Sequence, residues 1–280
     1  AKLTQSKTLM DKKRILFVTQ EINPFLPKSE IASTARRIPP ATQEAGKEIR
    51  VFTPRFGSIN ERRHQLHEVI RLSGMNLIIN DTDHPLIIKV ASVSAARMQV
   101  YFIDNDEYFK RKSTVVDDNG EFYPDNDERS MFFCRGVLET VKKLGWQPDV
   151  IHCHGWMSGL MSLYIKKLYN KDPHFVNTKV VYSVYNASFN KDWDENFSAK
   201  LKFDGFEDDV LEELKDTSFL NISRVMMKYA DGINVASENL DSSLQEIVDD
   251  MDCLKQEFVP EENQNKTLND FFDKVIEAEV

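Results

Sequence analysis

Short, almost wholly apolar runs that alternate with helix-periodic segments constrain the fold of this chain more than any other feature. Several of these runs have apolar side chains on both faces, which is typical of strands in a parallel sheet that helices cover. The strand-like runs are RILFVTQ (14–20), EIRVFTPR (48–55), DVIHCH (149–154), KVVYSVYN (179–186) and GINVAS (232–237). Helical periodicity occurs near 30–46 and over 128–144, 156–169, 219–230 and 238–248. The alternation predicts an α/β fold, a single doubly wound Rossmann-like domain.

Two regions depart from this alternation. The runs at 67–72, 84–93 and 98–104 predict a cluster of short strands, antiparallel or irregular. Near the C-terminus, the polar stretch 257–266 predicts a linker, and Thr267 with Asp270 has the spacing of a helix capping box. An apolar stripe follows, typical of a helix packed on its own chain; it consists of Leu268, Phe271, Phe272, Val275 and Ile276. We therefore expect one domain over 11–250, and an acidic linker plus amphipathic helix over 251–280.

Composition and charge narrow the class of protein. Of the 280 residues, 41% are apolar, which is enough for a sizeable core. The three cysteines are scattered, and no apolar run approaches the ~20 residues that cross a bilayer, so we expect a cytoplasmic protein with no membrane partner. Residues 238–280 contain 13 acidic and 3 basic residues, so the rest of the chain is close to neutral. It lacks the clustered basic charge that nucleic acid requires. Met10 is typical of a natural start, which makes 1–9 a leader or an artificial extension.

The loop EINPFLPKSEIASTARRIP (21–39) follows the first predicted strand, where an α/β protein usually binds a phosphate. Such loops are rich in glycine, but this one has none, and Glu30 places a negative charge where an anion would lie. In HCHGW (152–156), His152 and His154 alternate and so point to one face of a strand. No third ligand lies at a suitable spacing, so the pattern predicts core or cleft histidines and no metal.

Five segments, read in order, resemble the bacterial glycogen synthases and plant starch synthases. They are ILFVTQEINPF, PDNDERSMFFCRGVLE, PDVIHCHGWMSGL, VVYSVYNASF and FLNISRVMMKYADGINVASENL, which span about residues 14–243. Members of that family are retaining glucosyltransferases that use ADP-glucose and have two Rossmann-like domains facing each other across a cleft, the GT-B arrangement. The resemblance implies that this chain is the N-terminal, acceptor-side half of a GT-B fold, and we expect no cofactor.

The resemblance also implies which residues surround the substrate, and several of them are substituted. The family's K-x-G-G-L loop has Ser29 and Glu30 in place of its glycines, and Lys28 lies one position late. Gly155 replaces an aspartate and Tyr185 a histidine. A lysine of the last segment is also replaced, by an arginine. The expected substrate-binding residues are Lys28, Ser29, Glu30, His154, Gly155, Trp156, Tyr185, Asn186 and Arg224. No catalytic residue is predicted.

These substitutions predict a glycogen or starch synthase-like protein that does not transfer glucose on its own. It would bind α-glucan or assist a protein of glycogen metabolism. The chain also ends where the resemblance would place the family's C-terminal domain, which holds most of the nucleotide. Two alternatives stay open. One is a glucosyltransferase that is active with a separately encoded C-terminal half. The other is an interaction module unrelated to glucan, which uses an exposed sheet face or the helix 267–280 and forms a homodimer or binds another protein.

Overall fold

A computed structural model describes residues 11–278. Its strands are β1 (Arg14–Thr19), β2 (Glu48–Pro54), β3 (His67–Glu68), β4 (Asn76–Ile79), β5 (Thr82–Pro85), β6 (Ile87–Val93), β7 (Met98–Asp104), β8 (Val150–His154), β9 (Lys179–Val184), β10 (Gly232–Val235) and β11 (Leu254–Gln256). Its α-helices are α1 (Glu30–Glu44), α2 (Asp106–Phe109), α3 (Asn126–Lys143), α4 (Met161–Lys167), α5 (Phe197–Asp204), α6 (Asp208–Glu213), α7 (Phe219–Lys228), α8 (Ser242–Asp249) and α9 (Glu261–Glu277). Single 3₁₀ turns lie at Ile70–Leu72, Ser94–Ala96 and Trp156–Ser158.

One large sheet has the strand order β11-β10-β9-β8-β1-β2-β7-β6-β3, and β4 with β5 forms a separate hairpin. Neighbouring strands from β11 to β7 are parallel, whereas β6 and β3 are antiparallel to their neighbours. This confirms the α/β fold and the antiparallel patch. Strand β1 lies between β2 and β8, so Phe17 is level with Val51 on one side and His152 on the other. The strand order reverses at this point, which in open α/β sheets positions a cleft outside the carboxyl ends of the strands.

The core lies on both faces of the central strands. Residues 15–18 are all buried in spite of the alternation of side chains along β1, as expected for a strand covered by helices on each side. Helix α3 is buried over most of its length, including its polar first turn, where Asn126 and Arg129 are enclosed. Arg129 Nε donates to the carbonyl of Tyr108, shortly after β7 ends, so this first turn lies close to the carboxyl ends of the strands.

Helix α9 packs into the same core. Its apolar stripe is confirmed, because Leu268, Phe271, Phe272 and Val275 are buried. Phe272 packs its ring edge-on against the rings of Phe17 (centroids 6.0 Å apart) and His152 (5.1 Å). These contacts tie the helix to the two strands at the centre of the sheet.

The predicted linker over 257–266 is wrong in its second half, because α9 begins at Glu261 after Pro260. Thr267 therefore lies inside the helix, and the predicted capping box is wrong. The first turns of α9 are polar because they face solvent, and carboxylates at Glu261 and Glu262 favour the positive end of the helix dipole. The division of the chain at 250 stays a prediction, although the described residues on both sides of it share one sheet and one core.

Two further elements differ from the expectations. The strand expected over 67–72 is limited to β3, and the helix expected over 156–169 is a 3₁₀ turn followed by α4. The break falls at Gly159, where an added Cβ would lie 2.2 Å from the Met226 sulfur, so α7 approaches the backbone closely. The hairpin β4–β5 and helices α5 and α6 were not anticipated. No helix in the described region 11–278 is long and apolar enough to span a membrane. The prediction on residues 1–9 lies outside the described residues.

Candidate functional site

The first turn of α1 lies at the carboxyl end of β1, where α/β proteins usually bind a phosphate and where the sequence places Glu30 instead. The Ser29 hydroxyl caps the helix by accepting the Ala32 N–H at 3.0 Å. Glu30 begins the helix, and its exposed carboxylate accepts a hydrogen bond from the Ser237 hydroxyl. The chain itself therefore supplies both a capping oxygen and a negative charge at the positive end of this helix.

An open pocket of about 410 Å³ adjoins this helix end. Lys28 and Arg37 line it together with Glu30, so it contains charges of both signs. Helix α9 contributes Glu261 and Gln264, which contact the Arg37 guanidinium. The polar beginning of α9 thus forms one wall of the pocket predicted for substrate.

The two histidines of β8 are buried in the sheet. Their ring centroids are 4.0 Å apart, which confirms that His152 and His154 share a face. His154 Nδ1 lies 2.7 Å from the Tyr185 hydroxyl, and His152 Nε2 lies 2.6 Å from the Ser183 hydroxyl. Burial lowers the pKa of His154 to about 3 and that of His152 well below its usual value, so both rings are neutral at pH 7. Within residues 11–278, no group of three or more His, Cys, Asp or Glu side chains could hold a metal ion.

Tyr185 fills the position at the end of β9 where the sequence resemblance implied a histidine. Its side chain is buried, and burial raises the pKa of its hydroxyl above the usual value. The Tyr185 hydroxyl and His154 Nδ1 therefore pair inside the protein, while His154 Nε2 has no partner among the described residues. Neither group is exposed to a ligand in the described conformation.

Gly155 has a backbone conformation that side chains rarely adopt, with φ +87° and ψ 160°. An added Cβ would lie 2.8 Å from the Gln20 side-chain oxygen, which accepts the Met157 N–H at 3.0 Å. An aspartate at position 155 would therefore have to displace Gln20. The local backbone is built around glycine.

Trp156 belongs to a buried aromatic cluster and does not face open solvent. Its ring packs edge-on against Phe189 at 5.2 Å and Trp193 at 6.1 Å, and Phe122 approaches it at 6.3 Å. Phe189 and Trp193 stack on each other at 5.1 Å. The cluster supports the loop that follows β9.

Asn186 joins this loop to the segment after β10. Its backbone N–H donates to the Ser237 hydroxyl at 2.9 Å, and its side chain bridges the Asn239 carbonyl (2.7 Å) and the Asp241 N–H (2.8 Å). Ser237 therefore connects Asn186 to Glu30. Arg224, in contrast, hydrogen-bonds to Asn221 within α7, and no described hydrogen bond joins it to the other expected site residues.

A second pocket, of about 320 Å³, was not anticipated from the sequence. Phe122 and Tyr123 supply half-buried aromatic surface to it, the edge of the buried Trp193 lies at its back, and Asp192 and Asp194 supply carboxylates. The signal for it was the run KDWDE (191–195) in the loop after β9, in which an aromatic residue lies between acids. Apolar walls with a few polar groups are typical of small-molecule sites.

A buried charge network lies behind the second pocket. Lys200 Nζ lies 2.8 Å from Asp127, 3.0 Å from Glu128 and 3.0 Å from Asp194. Burial raises the pKa of Asp127 to about 6, although Lys200 opposes that effect. The network attaches α5 to the enclosed first turn of α3 and holds Asp194 at the pocket wall.

A comparison of the sequence with known protein families agrees with the strand order and with the positions of the motifs. Residues 14–254 match the model of the starch synthase catalytic domain. The chain belongs to the starch synthase catalytic domain family.

Relatives of this starch synthase-family chain include curated glycogen synthases. The protein from Chlorobium limicola is 39% identical over 175 residues, which cover 62% of this chain and 36% of the relative. The protein from Chlorobaculum parvum is 33% identical over 234 residues, which cover 80% and 46%. The chain thus spans less than half the length of these relatives.

A solved structure shares the fold. The catalytic domain of Starch Synthase IV from Arabidopsis thaliana, bound to ADP and acarbose, superposes with a TM-score of 0.64 over 80% of this chain and 45% of that one. Sequence identity is 16%. The agreement supports the GT-B-type arrangement of the sheet and helices.

Proposed function

We propose that this starch synthase-family chain binds α-glucan and does not transfer glucose on its own. The observation that carries the proposal is the pocket formed by Phe122, Tyr123 and Trp193 with Asp192 and Asp194. Aromatic faces pack against the apolar faces of sugar rings, and carboxylates accept hydrogen bonds from sugar hydroxyls. The buried network around Lys200 supports the pocket by limiting the motion of one acidic wall.

The α1 end of the cleft supports the second half of the proposal. The Glu30 carboxylate, held by Ser237, would lie near the diphosphate of a sugar nucleotide bound at the helix terminus. Two like unit charges at ~4 Å repel by about 4 kcal/mol near a protein surface. Ser29 already caps the helix, and His154 is engaged by Tyr185. The Ser29 hydroxyl and the His154 ring are therefore not free to stabilise a sugar-nucleotide donor.

Calorimetric titration with maltoheptaose tests glucan binding. Phe122→Ala should weaken binding by ~2- to 10-fold through loss of an aromatic contact. Asp192→Asn should weaken it by about 10-fold through loss of a charged hydrogen bond. Asp83→Asn removes one negative charge at an exposed position of strand β5, away from the pocket, and should leave the affinity unchanged. Absence of any binding to maltoheptaose, or equal weakening by all three variants, would refute a glucan site in this pocket.

Incorporation of labelled glucose into glycogen, from ADP-glucose and from UDP-glucose, tests the absence of transfer. The purified chain should show no incorporation. Clear turnover would refute the absence of transfer. Turnover that Glu30→Ala and Tyr185→Ala leave unchanged would in addition show that the reaction takes place outside this cleft.

A glucosyltransferase that requires a separate C-terminal half is the second candidate. Lys28 and Arg37 favour this candidate, because both line the pocket of about 410 Å³ at the beginning of α1 (the α1 pocket) beside Glu30 and could hold a phosphate. Addition of the C-terminal half of a relative should then produce turnover that depends on Arg37. Continued inactivity of the mixture would leave the binding role as the better account.

A further inference from the structure

A third cavity, of about 280 Å³, lies at the amino-terminal ends of β2 and β7. Its lining is Gln43, Ile49, Arg50, Arg97, Met98, Gln99 and Tyr101. The lining contains two arginines and no acidic residue. The glucan pocket and the α1 pocket lie at the carboxyl ends of the strands, so this cavity is at the opposite end of the sheet.

Arg50 is fixed by aromatic surfaces and not by an acid. Its guanidinium carbon lies 5.4 Å from the Trp146 ring centroid and 5.8 Å from that of Tyr101. Its Nη1 donates to the Tyr101 hydroxyl at 3.0 Å, while its Nε is buried and has no partner in the described part of the chain. The guanidinium is thus held in place mainly by aromatic contacts, and its charge is not neutralised by any described neighbour.

The nearest acid along β2 is already engaged. Glu48 lies two residues before Arg50 and therefore on the same face of the strand. Its carboxylate accepts a hydrogen bond from Arg14 Nε at 2.9 Å. The charge on Arg50 therefore has no ion-pair partner among residues 11–278.

Arg97 adds a second cation at the mouth of the cavity. It lies in the left-handed region, with φ +51°, at the end of the 3₁₀ turn that precedes β7. A left-handed conformation costs a non-glycine residue ~1–2 kcal/mol. Within the described residues, Arg97 makes no side-chain hydrogen bond or ion pair. The turn thus presents an exposed arginine beside Arg50 with no internal partner for its charge.

We propose that this cavity binds the phosphate group of orthophosphate or of a small phosphate monoester. Guanidinium groups match phosphate oxygens with forked hydrogen bonds. Since the Tyr101 hydroxyl accepts a bond from Arg50, its own proton is free to donate to the same anion. The amides of Gln43 and Gln99 add neutral donors and acceptors for the remainder of a monoester. The site is separate from the proposed glucan pocket and does not depend on it.

Thermal unfolding with orthophosphate at constant ionic strength, with chloride as the compensating anion, tests the site. The melting temperature of the wild-type chain should rise with phosphate concentration and saturate. Arg97→Gln should weaken the apparent affinity by about 10-fold, because a charged hydrogen bond is lost. Arg97 is exposed, so this variant keeps the core intact. Arg50→Gln should have a similar or larger effect, and Arg71→Gln, which removes an exposed charge elsewhere, should have none.

Parallel titrations with glycerol 3-phosphate and acetate identify the anion. Tighter binding of glycerol 3-phosphate than of orthophosphate would support a monoester as the ligand, and equal binding would support orthophosphate. Acetate binding as tight as phosphate binding would overturn the assignment to phosphate. The proposal would also be overturned if phosphate gave no saturable shift, or if wild type, Arg97→Gln and Arg71→Gln shifted alike.

Discussion

Gly155→Ala tests whether the cleft of this chain has been rebuilt around glycine. The residue lies at the turn between β8 and the aromatic cluster, at the position where the family resemblance implies an aspartate. Its φ of +87° and ψ of 160° belong to a region that is almost exclusive to glycine. Any side chain there meets both a backbone penalty and the side chain of Gln20.

The magnitude follows from two terms. The backbone conformation should cost alanine ~1–3 kcal/mol. The new Cβ would lie 2.8 Å from the Gln20 oxygen, so Gln20 must move and leave the buried Met157 N–H without an acceptor, which costs ~1–3 kcal/mol more. We expect a decrease of about 4 kcal/mol in the free energy of unfolding. Gly155→Asp should be at least as destabilising and should not produce glucose transfer.

Urea unfolding followed by circular dichroism measures this loss. Gly145→Ala is the matched control, since Gly145 also has positive φ (+66°) but has no atom within 4 Å of an added Cβ. It should cost only ~1–2 kcal/mol. If Gly155→Ala unfolds at the same or a higher urea concentration than Gly145→Ala, the close contact with Gln20 is not what excludes a side chain.

Three further variants probe the interior. Because burial lowers the pKa of His154 to about 3, protons bind only the unfolded chain as pH falls below 6.5, and stability should decrease by ~1.4 kcal/mol per pH unit for this residue. His154→Gln should reduce the loss between pH 7.5 and 5.5 by about that amount, and an unchanged loss would contradict the assignment. Lys200→Met should cost ~3–5 kcal/mol at pH 7.5 by leaving buried carboxylates unpaired. The cost should be smaller at pH 5, where Asp127, with a pKa of about 6, binds a proton. Urea unfolding at both pH values measures the cost, and an equal cost at the two would contradict this reasoning. Phe272→Ala should cost ~3–5 kcal/mol, whereas Asp270→Ala at an exposed position of the same helix should cost under ~1 kcal/mol. Equal urea midpoints for these two variants would mean that α9 is not part of the core.

The sequence was most informative where burial acts on long, regular elements. The apolar runs predicted β1, β2, β8, β9 and β10 to within about two residues, because a strand covered on both faces has little freedom in composition. The stripe of α9 was equally clear, but its beginning was not. Polar residues in the first turns of a helix that faces solvent look the same as a linker.

The site was only partly accessible from the sequence. The motifs predicted a site that includes Ser29, Glu30, His154 and Tyr185, and their alignment indicated that several of its residues are substituted. It could not indicate that Tyr185 would pair with His154 Nδ1 or that Ser237, two hundred residues along the chain, would hold Glu30. Such pairings depend on which strands are neighbours, and strand order is a property of the whole sheet.

By itself, the sequence determined the alternation of strands and helices, the family, the amphipathic face of α9 and the negative charge at the beginning of α1. Each of these depends on residue type and short spacing. Only the tertiary structure decided that Trp156 is buried, that the aromatic pocket lies between Phe122 and Trp193, and that Glu48 pairs with Arg14 and not with Arg50. These features arise where segments distant in sequence meet, so their energies depend on packing and partners that no local pattern encodes.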